Sequence, residues 1–383
     1  MTPRVFFWVQ HLLGIGHLRR AATLARALAD GGFDVLLVSG GAPVAGLRTG
    51  AVRFHQLPPL RAADAGLREV CRLDGTPADV AFESTRRDAL LALLRAERPD
   101  IVLTEQFPFG RTRLRFELLP LLEAARALPR RPRVAASVRD VVRRTSPERV
   151  AETVDLVTRH FDAVLIHGDP ALVPFEASFA GWPAIRDRAH YTGYVLDDDG
   201  TTGDDDGAAG RGEVVVSIGG GAVGRPLLEA AVAARPLTVL ADRTWRLLVG
   251  ENLPAADRAA LATRPGIVIE PARADFRTVL ERATLSISQA GYNTAIETLR
   301  HARRAVLVPF ATDRETEQAD RAAALAERGL VTTPRPGALT AQSLAEAVAR
   351  GLAGPALRAH PIGAVDGGPA TARLLHRLLE GTR

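Results

Sequence analysis

The sequence predicts an α/β protein built from two Rossmann-like, doubly wound halves facing across a cleft. Three observations carry that prediction. The first 40 residues run strand, glycine turn, helix, strand. A Gly- and Asp-rich stretch at 197–212 then contains almost nothing that could pack, and the same pattern restarts at residue 214. A strand returning to a parallel neighbour through a helix is a βαβ unit, which implies a parallel sheet. A length of 383 residues fits two domains better than one.

Each element has its own signal. Val5–Val9 is an apolar run of strand length, broken by Gly14 and Gly16. Apolar residues recur at helical spacing from Leu18 to Ala29, and Gly31-Gly32 ends that helix. Asp34–Val38 is the next strand. The alternation predicts a helix over 86–97, a strand at 101–104, a helix over 115–127, and strands at 134–138 and 163–167. After the 197–212 linker come strands at 214–218, 237–241, 267–270, 285–288 and 305–309, with helices over 315–328 and 370–380. The last helix could pack on either half.

Composition removes several functions. No lysine occurs, so all 49 basic residues are arginine. Schiff-base chemistry and a phosphate-loop lysine are therefore excluded. The single cysteine, Cys71, permits no intrachain disulfide, and no Cys/His spacing suggests a metal site. The aromatic content of 5% offers no stacking platform for nucleic acid. No signal peptide and no membrane-length apolar run are evident, which predicts a cytoplasmic location. Eleven arginines against four acids in residues 111–149 could meet a phosphorylated acceptor or an anionic membrane face at its periphery, or form a solvated basic surface.

The chemistry-bearing segments all follow predicted strands. In Ser286–Glu297, Ser288, Gln289 and Gly291 lead into a helix that Asn293 or Thr294 could cap. The N–H groups at its start can receive an anion, and Glu297 one turn on can accept from a sugar diol. Ser217 precedes Gly219-Gly220-Gly221-Ala222-Val223-Gly224, which matches the dinucleotide glycine pattern, with Asp242 at a later strand end. The loop Pro309–Asp313 leads to a helix carrying Gln318. Loops after successive parallel strands meet at one sheet edge, so these three could share a ligand.

In the first half, His17 follows Gly16 at a helix start, where the helix dipole disfavours imidazolium and keeps a neutral base available. His11 reads as an ordinary loop residue. Glu105 could bind acceptor hydroxyls, share the base role, or pair with an arginine. Asp140 carries the same ambiguity.

These segments resemble the GT-B glycosyltransferases of family 28, the family of the lipid II-forming N-acetylglucosaminyltransferase. The likeness covers both halves. Gly14–His17 looks like the family's glycine–histidine loop, and Ser217–Ala222 like its Gly-Gly-Ser-Gln-Gly-Ala loop. Gly291–Glu297 is similar to its G-x-x-T-x-x-E, whose glutamate holds the donor ribose. Pro309–Gln318 is similar to the helix start whose glutamine touches the donor sugar. Glu317 stands in place of the family's histidine, Arg321 in place of its asparagine, and Ser-Gln is missing at 219–222. The 10–20 and 107–111 segments look closest to a bacterial branch of predicted glycosyltransferases.

The resemblance implies an inverting, metal-independent transfer without a cofactor. Residues 213–383 would bind a nucleotide diphosphate sugar, a UDP-sugar, as donor. Residues 1–196 would admit a small-molecule or lipid-linked acceptor with a hydroxyl or amine, deprotonated by His17 with Glu105 or Asp140 assisting. The alternatives are a nucleotide-sugar hydrolase with the same histidine loop, an NAD-binding dehydrogenase built on 219–224 and Asp242, and a non-catalytic sugar-nucleotide binding protein.

Overall fold

A computed structural model describes residues 2–12, 14–63, 69–196, 207–219, 224–250, 258, 264–310, 316–335, 339–357 and 366–381. The chain divides into two compact units, Met1–Asp197 with Ala364–Arg383, and Asp198–Gly363.

The first unit contains β1 (Arg4–Val9), α1 (Gly16–Asp30), β2 (Asp34–Ser39), β3 (Arg53–Gln56), β4 (Arg61–Ala62), β5 (Val70–Cys71), α2 (Val80–Glu97), β6 (Ile101–Glu105), α3 (Arg115–Arg126), β7 (Arg133–Arg139), α4 (Pro147–His160), β8 (Ala163–His167), α5 (Trp182–Ile185) and β9 (Ala189–Tyr191). Seven strands form one parallel sheet in the order β3-β2-β1-β6-β7-β8-β9, and β4 and β5 form a separate antiparallel pair. Strand order reverses between β1 and β6, which makes that crevice the switch point.

Alternation along β1 explains why both faces are covered. Phe6 and Trp8 join the cluster that holds Leu90, Leu118 and Leu122 of α2 and α3. Val5, Phe7 and Val9 join the one that holds Leu18, Leu24 and Leu28 of α1. A parallel sheet buried on both sides needs such unbroken apolar strands.

The second unit contains β10 (Val214–Ser217), α6 (Arg225–Ala234), β11 (Trp245–Val249), β12 (Ile267–Pro271), α7 (Phe276–Arg282), β13 (Leu285–Ser288), α8 (Tyr292–His301), β14 (Ala305–Leu307), α9 (Glu317–Glu327) and α10 (Ala341–Ala353). Its parallel five-stranded sheet has the order β12-β11-β10-β13-β14, with the switch point between β10 and β13.

The final helix, α11 (Gly367–Glu380), belongs to the first unit. Its Ala372, Leu374 and Leu375 enter the α1-side core. The backbone at Gly31 approaches Ala372 closely, His376 Nε2 lies 2.9 Å from the Gly31 carbonyl, and the His376 ring stacks on Phe33. The 14-residue helix could find this partner only in three dimensions, because its apolar stripe alone names no receptor.

Several expectations need correction. The apolar run 237–241 is not a strand. Arg235–Leu237 is a short 3-10 turn, and Leu237 and Val239 are exposed. The Leu240 carbonyl accepts from Trp245 Nε1 at 3.1 Å, which folds the run back as a turn. The strand is Trp245–Val249 instead, because that run buries on both sides. The 197–212 linker lies outside the described residues through 206. Within the remainder, Ala209 is buried and Gly210 N–H donates to Glu213 Oε2 at 2.9 Å, so 207–212 packs on the second unit.

Candidate functional site

In the first unit the carboxyl edge of the sheet assembles a buried polar chain. Glu105 ends β6 and stands in register with Ser137 of β7. The two-residue period of strands puts Glu105, Ser137 and His167 on one face, the face that also carries Leu103, Ala135 and Leu165 and receives α1. Helix α1 opens at Gly16, so His17 is its second residue and Arg20 follows one turn later on the same side. Five polar side chains from four elements, β6, β7, β8 and α1, therefore meet at this edge.

The contacts are specific. His17 Nδ1 lies 2.9 Å from Glu105 Oε1, and Arg20 donates to the same oxygen. Ser137 Oγ donates to Glu105 Oε2 at 2.8 Å and lies 2.9 Å from His167 Nε2, whose Nδ1 is 2.8 Å from Thr192 Oγ1. Glu105 is fully buried, whereas the His17 side chain keeps 14% of its surface exposed. Burial holds the His17 pKa well below the ordinary imidazole value, and Arg139, Arg111, Arg20 and His11 push it the same way. The ring is consequently neutral. A carboxylate can only accept, so Nδ1 carries the proton and Nε2 keeps its lone pair. That is the protonation pattern of a general base oriented by a carboxylate.

A second buried cluster supports this edge from the opposite face. Arg86 of α2 donates to both carboxylate oxygens of Glu117, to the Gly40 and Pro58 carbonyls, and to Gln10 Oε1 at 2.8 Å. Trp8 Nε1 donates to Glu117 at 3.1 Å, and Gln10 Nε2 holds the His11 and Leu60 carbonyls. These bonds fix the backbone that leads from β1 toward His17.

In the second unit the switch point brings two predicted loops together. Gly219 has φ of 63°, a conformation that suits glycine. A β-carbon built on it would lie 3.2 Å from Thr294 Oγ1. Gly219, just after β10, thus abuts the start of α8. Gln289 N–H donates to the Ser217 carbonyl at 3.1 Å, which ties the ends of β10 and β13. Helix α8 is preceded by Gly291 with no side-chain cap, and a β-carbon on Gly291 would meet open space. Asn293 and Thr294 sit inside the first turn, so the expected cap at either residue is not formed. The N–H groups there lack intrahelical partners, as at any helix start. Asn293, Thr294 and Glu297 share the partly exposed side of α8, while Ala295, Ile296, Thr298 and Leu299 are buried. That is the i, i+3, i+4 arrangement of one helical face.

Residues 215–360 match the model for the glycosyltransferase family 28 C-terminal domain. Whole-chain likenesses to solved structures show the fold. The calicheamicin glycosyltransferase CalG4 aligns at a TM-score of 0.60 and 18% identity, covering 100% of this chain and 95% of that one. MurG of Acinetobacter baumannii aligns at 0.59 and 18%, covering 98% and 100%. The spinosyn rhamnosyltransferase SpnG, solved with thymidine diphosphate, aligns at 0.61 and 18%, covering 99% and 96%. The second unit thus matches the C-terminal domain of glycosyltransferase family 28, and the whole chain has the GT-B fold. No curated protein matches its sequence.

Within this fold the predicted residues are distributed unevenly. His17 and Glu105 are brought together. Asp140 is buried and its Oδ1 accepts from the Val141 N–H at 2.9 Å, a local bond that shapes the loop after β7. Ser288 is fully buried and its hydroxyl lies 3.4 Å from Thr298 Oγ1, so it supports α8 from below. Ser217 Oγ accepts from the Gly219 N–H at 3.3 Å and shapes the glycine turn. Gln318 Oε1 accepts from the Phe310 N–H at 3.1 Å, which leaves its NH2 group for other use. Gly220, Gly221, Ala222 and Asp313 lie outside the described residues.

His11 is buried against Gly41, not an ordinary loop residue. Asp242 precedes β11 and is exposed, at the amino edge of the sheet. The acid expected for a dinucleotide ribose is therefore on the wrong side of the strand. Sequence reasoning missed Arg20, Ser137 and His167 as members of the site. Arg20 sits three residues after His17, and His167 is a polar end to the apolar run 163–166, so both had a readable signal.

The arginine-rich segment 111–149 is spread over several elements. Arg115 and Arg149 pair with Glu152, Arg130 with Asp100, and Arg133 with Asp162. Among the described residues no helix is long and apolar enough to cross a membrane.

Proposed function

We propose that the chain is an inverting, metal-independent glycosyltransferase moving a sugar from a nucleotide diphosphate sugar, a UDP-sugar, to a hydroxyl or amine acceptor. The observation that carries the reading is the His17–Glu105 pair, with a neutral imidazole whose Nε2 is left free to take a proton. In the proposed reaction Nε2 removes the acceptor proton as the acceptor oxygen or nitrogen bonds the anomeric carbon. The bond from that carbon to the diphosphate oxygen breaks on the opposite side, inverting the configuration.

The second unit would hold the donor. N–H groups at 219–222 and 291–294 would receive the diphosphate, with Glu297 on the ribose and the Gln318 NH2 group on the sugar. The uncapped start of α8 supports this, since oriented N–H groups stabilise the charge that develops on the leaving diphosphate without reorganising. Thymidine diphosphate in SpnG supports a nucleoside diphosphate as the ligand class.

The test is a matrix of UDP- and TDP-sugars, each with and without a panel of alcohols and amines, followed by proton NMR of the anomeric centre. Inverted glycoside formed with excess chelator supports the proposal. Stoichiometric free sugar at the same rate without acceptor makes the chain a hydrolase instead. Glu297→Ala should weaken nucleoside diphosphate binding in calorimetry, and unchanged affinity removes the ribose assignment.

A further inference from the structure

The polar chain does not stop at Glu105. Thr192, His167, Ser137 and Glu105 are each at least nine-tenths buried, and all belong to the first unit. Their hydrogen inventory allows little choice. Glu105 Oε2 can only accept, so the single hydroxyl hydrogen of Ser137 points to it. Ser137 Oγ must then accept from His167, which puts the His167 proton on Nε2. His167 Nδ1 is left as an acceptor, and Thr192 Oγ1 supplies the hydrogen at 2.8 Å.

Backbone bonds keep the members in place. The Thr192 N–H donates to the Ile166 carbonyl at 2.9 Å, and the Gln106 N–H to the Ser137 carbonyl at 2.8 Å. Gln106 has φ of 65°, a left-handed turn directly after Glu105 that returns the chain toward β7.

We propose that Ser137 and His167 are positioning residues that hold the orientation of the Glu105 carboxylate, and through it the Nδ1–H tautomer of His17. The proposal rests on the reading of His17 as the base. The physical reason is that Glu105 has two oxygens with separate duties. Oε1 takes His17 and Arg20, and Oε2 takes Ser137. Without the Ser137 hydroxyl, a buried carboxylate oxygen loses its donor and the carboxylate can rotate to recover one. His17 then loses the acceptor that holds its proton on Nδ1, and Nε2 no longer stays open. A charged His167 would have to donate from both nitrogens. Burial and the Arg20 guanidinium hold its pKa well below the ordinary value, which keeps it neutral.

The experiment uses the full chain with 15N-labelled histidine. Long-range proton–nitrogen spectra report each tautomer, and His17→Gln and His167→Gln assign the two rings. The wild type should show His17 with its proton on Nδ1 and His167 with its proton on Nε2. Ser137→Ala and His167→Leu should move His17 toward the Nε2–H form. They should also lower kcat by roughly tenfold to a hundredfold with the donor KM unchanged. His167→Gln, whose amide can still donate to Ser137, should retain the wild-type His17 pattern.

A wild-type His17 protonated on Nε2 overturns the proposal. So does a folded His167→Leu protein whose His17 tautomer matches the wild type. If no sugar is transferred by any form, the functional reading fails while the spectra still decide this chain.

Discussion

His17 Nδ1 lies 2.9 Å from Glu105 Oε1, although 88 residues separate the two in sequence. The switch point between β1 and β6 accounts for the meeting. A helix that follows β1 starts beside the end of β6, so the second residue of the helix and the last residue of the strand face one crevice. Arg20 sits on the same carboxylate oxygen, so the Glu105 charge is shared and does not force a second proton onto His17.

Removing the imidazole should abolish the base and spare the donor site. His17→Ala is expected to lower kcat by about 10²–10⁴-fold. Calorimetric affinity for the nucleoside diphosphate should stay at the wild-type value. Because the His17 pKa is depressed, the neutral form persists below pH 6.5, and kcat/KM should hold its plateau on the acid side of that value. Arg139→Gln removes a cation that disfavours imidazolium, so the acid limb should move to higher pH. An unmoved limb would show that another group governs it.

Two buried neutral histidines also couple folding to pH. His17 and His167 both have folded pKa values below the ordinary 6.5. Between those values and 6.5 the unfolded chain binds protons that the folded chain excludes. Stability therefore rises with pH through that window and levels off above it. In urea unfolding between pH 5 and 8, His167→Gln should show a shallower slope by up to one proton.

The glycine turn of the second unit is expected to be intolerant. Gly219→Ala combines a left-handed φ with a β-carbon 3.2 Å from Thr294 Oγ1. The backbone conformation costs about 1–2 kcal/mol for an L-residue. The new methyl also presses on the first turn of α8, so nucleoside diphosphate binding should weaken beyond the loss in Tm. Adding Thr294→Ala relieves the contact but not the φ. The double variant should recover part of the binding and little of the stability.

The Arg86–Glu117 pair should behave as a buried ion pair. Both side chains have no exposed surface. Arg86→Ala strands the Glu117 carboxylate in the core and should cost about 3–5 kcal/mol in urea unfolding. Arg86→Met combined with Glu117→Leu should be milder than the single change. Equal losses in the two proteins would argue that packing of Arg86, not charge pairing, carries the effect.

The strands and helices that flank the site were legible because their apolar runs are long and their periodicity is clean. Val5–Val9, Leu285–Ser288 and the helix over 18–29 are such cases. The strand expected at 237–241 failed because a short apolar run carries no sign of which way its side chains face. Only packing showed that Trp245–Val249 fills the sheet and that Leu237 and Val239 meet solvent. The helix Ala341–Ala353 went unread although Thr340 and Ser343 cap each other. A Ser in place of the usual Glu or Gln makes that signal weak.

By itself, the sequence determined the doubly wound class, the glycine turns at both switch points, and the single residues His17, Glu105 and Glu297 as chemistry-bearing candidates. Those are local properties: period, turn residues and the polar end of an apolar run. Only the tertiary structure decided that Glu105 pairs with His17 and Arg20, that Ser137 and His167 extend the chain behind it, and that Ser288 turns inward. It also decided that the last helix closes on α1. Each of these depends on strand register and on which face of a sheet an element covers, and a linear sequence leaves both open until the strands are paired.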